Sequence, residues 1–128
     1  NSDVVSIHVL HTKKTSRLIG RKHLRMMKPT AYYINTARGE INDEAALLEA
    51  LERKWIAGAA LDVLANEDPT GKILKGHPLV RYAQRHKNLI IVPHLGGATF
   101  ESMSRTEDFI TEKVKGFVQN FELQAKKF

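Results

Sequence analysis

Apolar residues in this chain fall into two patterns: short unbroken runs, and longer stretches where they recur every three or four positions. The runs are residues 4–9 (VVSIHV), 31–37 (AYYINTA), 56–63 (IAGAALDV) and 89–92 (LIIV). Runs of this length without polar alternation predict strands buried on both faces. Between them, residues 15–28 predict a helix, with Leu18, Ile19, Leu24 and Met27 at helical spacings and Pro29 as its stop. Asn42 suits the N-cap of a second helix over 43–54 (DEAALLEALERK). In that helix Asp43 and Glu44 meet the positive end of the dipole, and Leu47, Leu48 and Leu51 form the buried side. The small residues of 56–63 predict close packing of that strand by a helix. Residues 64–87 read as a loop with a short turn or helix. Thr99 then caps a long last helix, in which Met103, Thr106, Ile110, Val114, Phe117 and Phe121 recur at helical spacing.

Strands alternating with helices predict an α/β fold: a parallel sheet of about four strands, covered on both faces by helices. Right-handed crossovers place the strands side by side in sequence order. The expected class is a partial Rossmann-like, doubly wound sheet. No G-x-G-x-x-G follows a strand and opens a helix, and the nearest segment, His94-Leu95-Gly96-Gly97-Ala98-Thr99, has a different spacing. That fingerprint belongs to the first strand–helix unit of a dinucleotide-binding domain. The chain also enters its first strand at Val4, directly after Asn1-Ser2-Asp3. Residues 1–128 therefore read as the second, C-terminal half of such a domain, a fragment of a longer two-domain protein.

Composition narrows the picture only slightly. Hydrophobic residues make up 42% and charged residues 27%, an ordinary balance for a soluble globular chain. No run approaches the ~18 apolar residues of a membrane span, and no leader is recognised, so no membrane partner and a cytoplasmic location are expected. Cysteine is absent, which excludes disulfides and thiolate metal sites. The net charge of +6 is scattered, from Lys13-Lys14 to Lys126-Lys127, without an aromatic-interleaved stripe. A nucleic-acid partner is not expected, and mild attraction for anionic ligands is. Six histidines are present, none paired at i, i+4, and no metal site is predicted.

The candidate chemistry lies just past the predicted strands. Arg38 follows AYYINTA, Glu67 follows the third run and His94 follows NLIIVP. On neighbouring parallel strands all three emerge at the carboxyl edge, where open α/β sheets bind ligands. His94 can exchange a proton near neutral pH. Glu67 beside it would favour the imidazolium and fix its tautomer. Arg38 offers a fork for a carboxylate or a donor to a carbonyl. Together they suit interconversion of a hydroxyl and a carbonyl beside a carboxylate, with hydride exchanged with a cofactor.

Four segments carry a resemblance. Ser6-Ile7-His8-Val9, Asn35-Thr36-Ala37-Arg38-Gly39, Gly58-Ala59-Ala60-Leu61-Asp62-Val63 with Glu67, and Pro93-His94-Leu95-Gly96-Gly97-Ala98-Thr99 resemble the D-isomer-specific 2-hydroxyacid dehydrogenases in order and spacing. The resemblance implies Arg38 as the group that holds and polarises a 2-oxo or 2-hydroxy acid, His94 as general acid/base on its C2 oxygen, and Glu67 as the partner of His94. It implies a cofactor contact by His8, Val9, Thr36, Ala37, Arg38, Asp62, His94, Gly96 and Gly97. The implied cofactor is NAD, with NADP left open, and the implied partners are a small 2-oxo acid and a second subunit of a homodimer.

Two departures stand out. Leu10-His11 replaces the Pro-Leu usual after the first segment. Asp68 intervenes between Glu67 and Pro69, making it an alternative acid, although the spacing from Asp62 favours Glu67. Asn35 reads as a structural hydrogen-bonder, His8 as a rim residue, and Gly39, Gly96 and Gly97 as turn glycines with positive φ. An alternative reading is an NAD-sensing interaction or corepressor protein on the same scaffold. Without the pyrophosphate clamp and a substrate domain, the 128 residues alone are expected to show little or no turnover.

Overall fold

The computed structural model describes residues 2–67 and 76–125, with side chains to residue 119 in the last helix. Four strands form one parallel sheet in sequence order: β1 (Val4–Ile7), β2 (Tyr32–Asn35), β3 (Gly58–Leu61) and β4 (Leu89–Ile91). The α/β class and the Rossmann-type arrangement are as expected. Each strand is shorter than its apolar run, which continues past the strand at the carboxyl edge and, for β2 and β3, also begins before it at the amino end. The chain divides into two compact units, Asn1–His94 and Leu95–Phe128.

Registers align one row of Val5, Tyr33, Ala59 and Leu89, and a second row of Ile7, Asn35, Leu61 and Ile91. Helices α1 (Arg21–Arg25), α2 (Glu44–Glu52) and α3 (Pro78–Ala83) supply Leu24, Leu47, Ala50, Leu51, Leu79 and Tyr82 to the core built on these rows. The opposite face carries Val4, Tyr32 and Ile90, which are 53%, 54% and 62% exposed. The expected cover on both faces is therefore met on one face by these three helices. Successive right-handed crossovers that advance in one direction place every connecting helix on the same side of a sheet. A second layer requires the strand order to reverse, and β1 to β4 do not reverse.

The helix expected over 15–28 is confined to α1. Gly20 interrupts it, as glycine's backbone entropy disfavours a helix interior, and residues 13–17 before it form turns. Arg17 N–H donates to Glu40 O at 2.7 Å and Ile19 N–H to Ile41 O at 3.0 Å, while Asp43 N–H donates back to Ile19 O at 2.8 Å. Those amides pair across to 40–43 rather than along a helix.

The N-cap of α2 is Asp43, not Asn42: its side chain accepts from Ala46 N at 3.1 Å. Burial pushes the Asp43 carboxyl up, but the Ala46 amide and the Arg17 guanidinium, 2.7 Å away, outweigh it and hold the group below the usual carboxylate range. Asn42 is buried instead, its Oδ1 accepting from the Tyr33 hydroxyl, and burial raises the Tyr33 phenol well above its ordinary value. At Gly58 the crowding comes from neighbouring strands rather than a helix: a Cβ would lie 2.7 Å from Asn88 O and 3.3 Å from the Tyr32 ring.

The second unit holds α4 (Phe100–Ala125). Ser102 N–H donates to Thr99 Oγ1 at 3.2 Å, so Thr99 caps it as expected. On this helix Phe109, Ile110, Val114 and Phe117 are all more than half exposed. The side chain of Phe121 lies outside the described residues.

Candidate active site

The strand ends Asn35, Leu61 and Ile91 stand in one register row, so the segments after β2, β3 and β4 leave the sheet along a single edge. Asp62 N–H donates to Asn35 O and Val92 N–H to Leu61 O, both at 3.0 Å, tying each exit to its neighbour. Asn35, fully buried, shapes the first exit: its Oδ1 accepts from Ala37 N and its Nδ2 donates to Arg38 O, each at 2.9 Å. Both side-chain groups are used on the backbone, so Asn35 acts as the structural hydrogen-bonder that its position implied.

His94 and Glu67 meet directly. His94 Nδ1 lies 2.8 Å from Glu67 Oε2, with the imidazole 38% exposed and the carboxylate 13% exposed. An ionised carboxylate only accepts, so the hydrogen sits on Nδ1 and leaves Nε2 as the nitrogen available for proton exchange. The other oxygen of Glu67 accepts from Leu64 N at 2.5 Å, which folds the acid back over its own turn. His94 follows Pro93 with φ of 54°, a left-handed backbone uncommon outside glycine, and donates its N–H to Val92 O at 3.0 Å. A non-glycine residue held in that region is a form of strain that clusters at functional sites.

The other predicted residues are distributed as follows. Arg38 shares the edge and is exposed; its Nη1 donates to Ala37 O at 2.6 Å, and among the described residues neither Glu67 nor His94 is its partner. Thr36 and Val9 are exposed, Ala37 is half-buried, and Asp62 is buried. His8 is exposed and its Nε2 lies 2.8 Å from Ser6 Oγ. Gly96 and Gly97 belong to the second unit. Asp68, the alternative acid, lies outside the described residues.

The glycine reading needs one correction. Gly39 does not adopt positive φ; it is required by close approach, since a Cβ there would sit 2.0 Å from Leu64 C and 2.1 Å from Ala65 N. Gly97 likewise lacks positive φ, and a Cβ there would meet nothing within 4 Å.

Sequence reasoning passed over Glu40 and His77 and read Glu44 only as a first-turn acid of α2. Glu44 Oε1 accepts from Ala65 N at 2.8 Å, and Glu44 Oε2 lies 3.1 Å from His77 Nε2. A cleft of about 720 Å³ lined by Lys54, Tyr82, Arg85 and Asn88 sits at the amino ends of β3 and β4, away from this chemistry.

A parallel sheet of Rossmann type with a histidine–carboxylate pair at its carboxyl edge defines a nucleotide-binding class of domain. Residues 1–96 match the family described as D-isomer specific 2-hydroxyacid dehydrogenase, NAD binding domain, and the chain belongs to that family. It is 48% identical over 104 residues to a glyoxylate reductase of Thermofilum pendens, covering 81% of this chain and 28% of that protein. It is 43% identical over 118 residues to a glycerate dehydrogenase of Methylorubrum extorquens, covering 91% and 35%. Among solved structures, the NAD-complexed form of a D-isomer specific 2-hydroxyacid dehydrogenase from Lactobacillus delbrueckii ssp. bulgaricus superposes with a TM-score of 0.77 at 33% identity, covering 93% and 38%. The chain thus spans about a third of the length of the curated relatives it matches: 28%, 33% and 33% of the glyoxylate reductases of three archaea. No helix among the described residues is long and apolar enough to cross a membrane.

Proposed function

We propose that this chain is the C-terminal part of the NAD-binding domain of a dehydrogenase that interconverts a 2-hydroxy acid and a 2-oxo acid. The observation that carries the reading is the 2.8 Å His94–Glu67 contact at the carboxyl edge of a family-matched sheet. NAD, with NADP as the alternative, supplies or accepts the hydride when bound.

The exposed residues of the edge suit such a cofactor. Val9 offers apolar surface to a flat ring, and Thr36 and Arg38 offer polar groups beside it. His8, Ala37, Asp62, Gly96 and Gly97 complete the proposed cofactor contacts.

In reduction, Nε2 of His94 donates a proton to the C2 oxygen as that oxygen gains charge. Glu67 holds the ring by Nδ1 throughout and stabilises the imidazolium before transfer. Arg38 binds the substrate carboxylate or polarises the C2 carbonyl through the guanidinium donors that the Ala37 carbonyl does not occupy. Oxidation reverses each step. A homodimeric, cytoplasmic parent protein is part of the same proposal.

The test is a turnover screen of the complete polypeptide carrying this chain, with NADH and NADPH against a panel of 2-oxo acids that includes glyoxylate. Cofactor-dependent reduction of at least one acid is expected. Cofactor binding without turnover of any acid would instead favour a nucleotide-sensing interaction protein. The 128 residues alone are expected to show little or no turnover, and measurable reduction by them would contradict the two-domain part of the proposal.

A further inference from the structure

The turn that carries Glu67 is held by acids from elsewhere in the chain. Three consecutive amides of this turn each donate to a different carboxylate. Leu64 N–H donates to Glu67 Oε1 at 2.5 Å, Ala65 N–H to Glu44 Oε1 at 2.8 Å and Asn66 N–H to Glu40 Oε1 at 3.4 Å. Glu44 comes from the first turn of α2 and Glu40 from the 3-10 turn Gly39–Ile41. Gly39 allows that turn to lie against the Leu64–Ala65 peptide, where any side chain would collide with backbone.

The middle acid is the best anchored. Glu44 is 19% exposed, and its second oxygen meets His77 Nε2, whose ring is 10% exposed. A carboxylate acceptor makes each of these bonds charge-assisted, the stronger kind. Asn66 has φ of 59°, so the turn sits in a backbone region that persists only when its surroundings fix it.

We propose that Glu44 is a positioning residue for the His94–Glu67 pair. Braced by His77, it grips Ala65 N–H and sets the turn so that Glu67 Oε2 faces His94 Nδ1. This rests on reading that pair as the acid/base couple.

The experiment reads the His94 tautomer directly in the complete polypeptide carrying this chain, by two-bond proton–nitrogen NMR, with His94→Gln assigning the signals. Wild-type His94 is expected in the Nδ1–H form. In Glu44→Ala the ratio of Nδ1–H to Nε2–H is expected to fall about tenfold, the equilibrium equivalent of one net hydrogen bond. Should that variant not fold, Glu44→Asp serves. It keeps the acid in the first turn of α2 while its shorter stem withdraws the acceptor, and the same fall is expected. Glu44→Gln restores an acceptor of the original length and should return the ratio to within about twofold of wild type.

Ala50→Gly, in the buried side of α2, controls for general loosening and should leave the ratio unchanged. An unchanged ratio in folded Glu44→Ala or Glu44→Asp overturns the positioning role, as does an equal fall in Ala50→Gly or in Glu44→Gln. A wild-type His94 lacking the Nδ1–H form overturns the underlying pair instead, so the two failures are distinguishable.

Discussion

Two glutamate–histidine contacts flank the same turn and differ in what surrounds them. Glu67 and His94 stand 2.8 Å apart with the imidazole 38% exposed, whereas Glu44 and His77 stand 3.1 Å apart with the imidazole 10% exposed. The chemistry of the two pairs is the same; access separates them. A ring 38% exposed at a sheet edge can exchange protons with a bound molecule, whereas one 10% exposed serves to hold its neighbours in place. The pairs are joined through backbone, since Ala65 N–H donates to Glu44 and Leu64 N–H donates to Glu67. The buried contact is thus the support of the open one.

The contrast breaks most sharply by substitution. In the complete polypeptide, Glu67→Ala is expected to lower kcat about 10²- to 10⁴-fold, the range for a disabled general acid/base, because the His94 ring loses the acceptor that fixes its tautomer. His77→Ala should act on stability instead, costing about 1–3 kcal/mol for the Glu44 oxygen left without its partner. Steady-state kinetics with urea unfolding of both variants tests the pairing of effects. Equal kinetic losses in the two would erase the distinction between open and buried pair.

Gly39→Ala attacks the support from below. A Cβ 2.0 Å from the Leu64 carbonyl carbon forces backbone to move, and a loss of about 3 kcal/mol in unfolding free energy is expected. A loss under about 0.5 kcal/mol would show that the turn has a second comfortable position.

Tyr33→Phe removes the hydroxyl that Asn42 accepts and should cost about 1–3 kcal/mol at neutral pH. It also has a pH signature. The folded chain keeps Tyr33 neutral by burial while the unfolded chain ionises it above about pH 10. The unfolded state then binds fewer protons, so this contribution to stability is full below that pH and declines above it by about 1.4 kcal/mol per pH unit. Comparing urea midpoints at about pH 9 and about pH 11 should show a steeper fall in wild type than in Tyr33→Phe.

The smallest effect belongs to the α2 cap, where Asp43→Ala should cost about 1 kcal/mol. The folded chain holds the Asp43 carboxyl low, so its contribution is present above about pH 4 and is lost as pH falls further. The gap between wild type and variant should therefore narrow on acidification.

Much of this was legible in the sequence, for reasons particular residues make plain. The strands were readable because β1 to β4 lie within nearly continuous apolar runs, even though only one face of the sheet is buried. Glu67 and His94 were readable because each lies within a few residues past such a run, and topology brings strand ends together whatever lies between. The stretch 15–28 misled because Leu18 and Ile19 have helical spacing, while their neighbourhood spends its amides on Glu40 and Ile41. Asn42 and Asp43 are both good caps, and the choice went to the tertiary demand of buried Tyr33 for a partner. Glu44 was read as a first-turn acid, which it is; its grip on Ala65 spans a sequence separation of 21 and has no local signature. Gly39 looked like a turn glycine because close approach of two distant backbones leaves no mark on spacing.

The most direct measurement compares NADH-dependent reduction of a 2-oxo acid found active in the substrate screen by the complete polypeptide and its His94→Gln variant, with NADH affinity determined on both. The account predicts a kcat lower by about 10²- to 10⁴-fold in the variant with NADH binding retained. A His94→Gln enzyme turning over at the wild-type rate would contradict it.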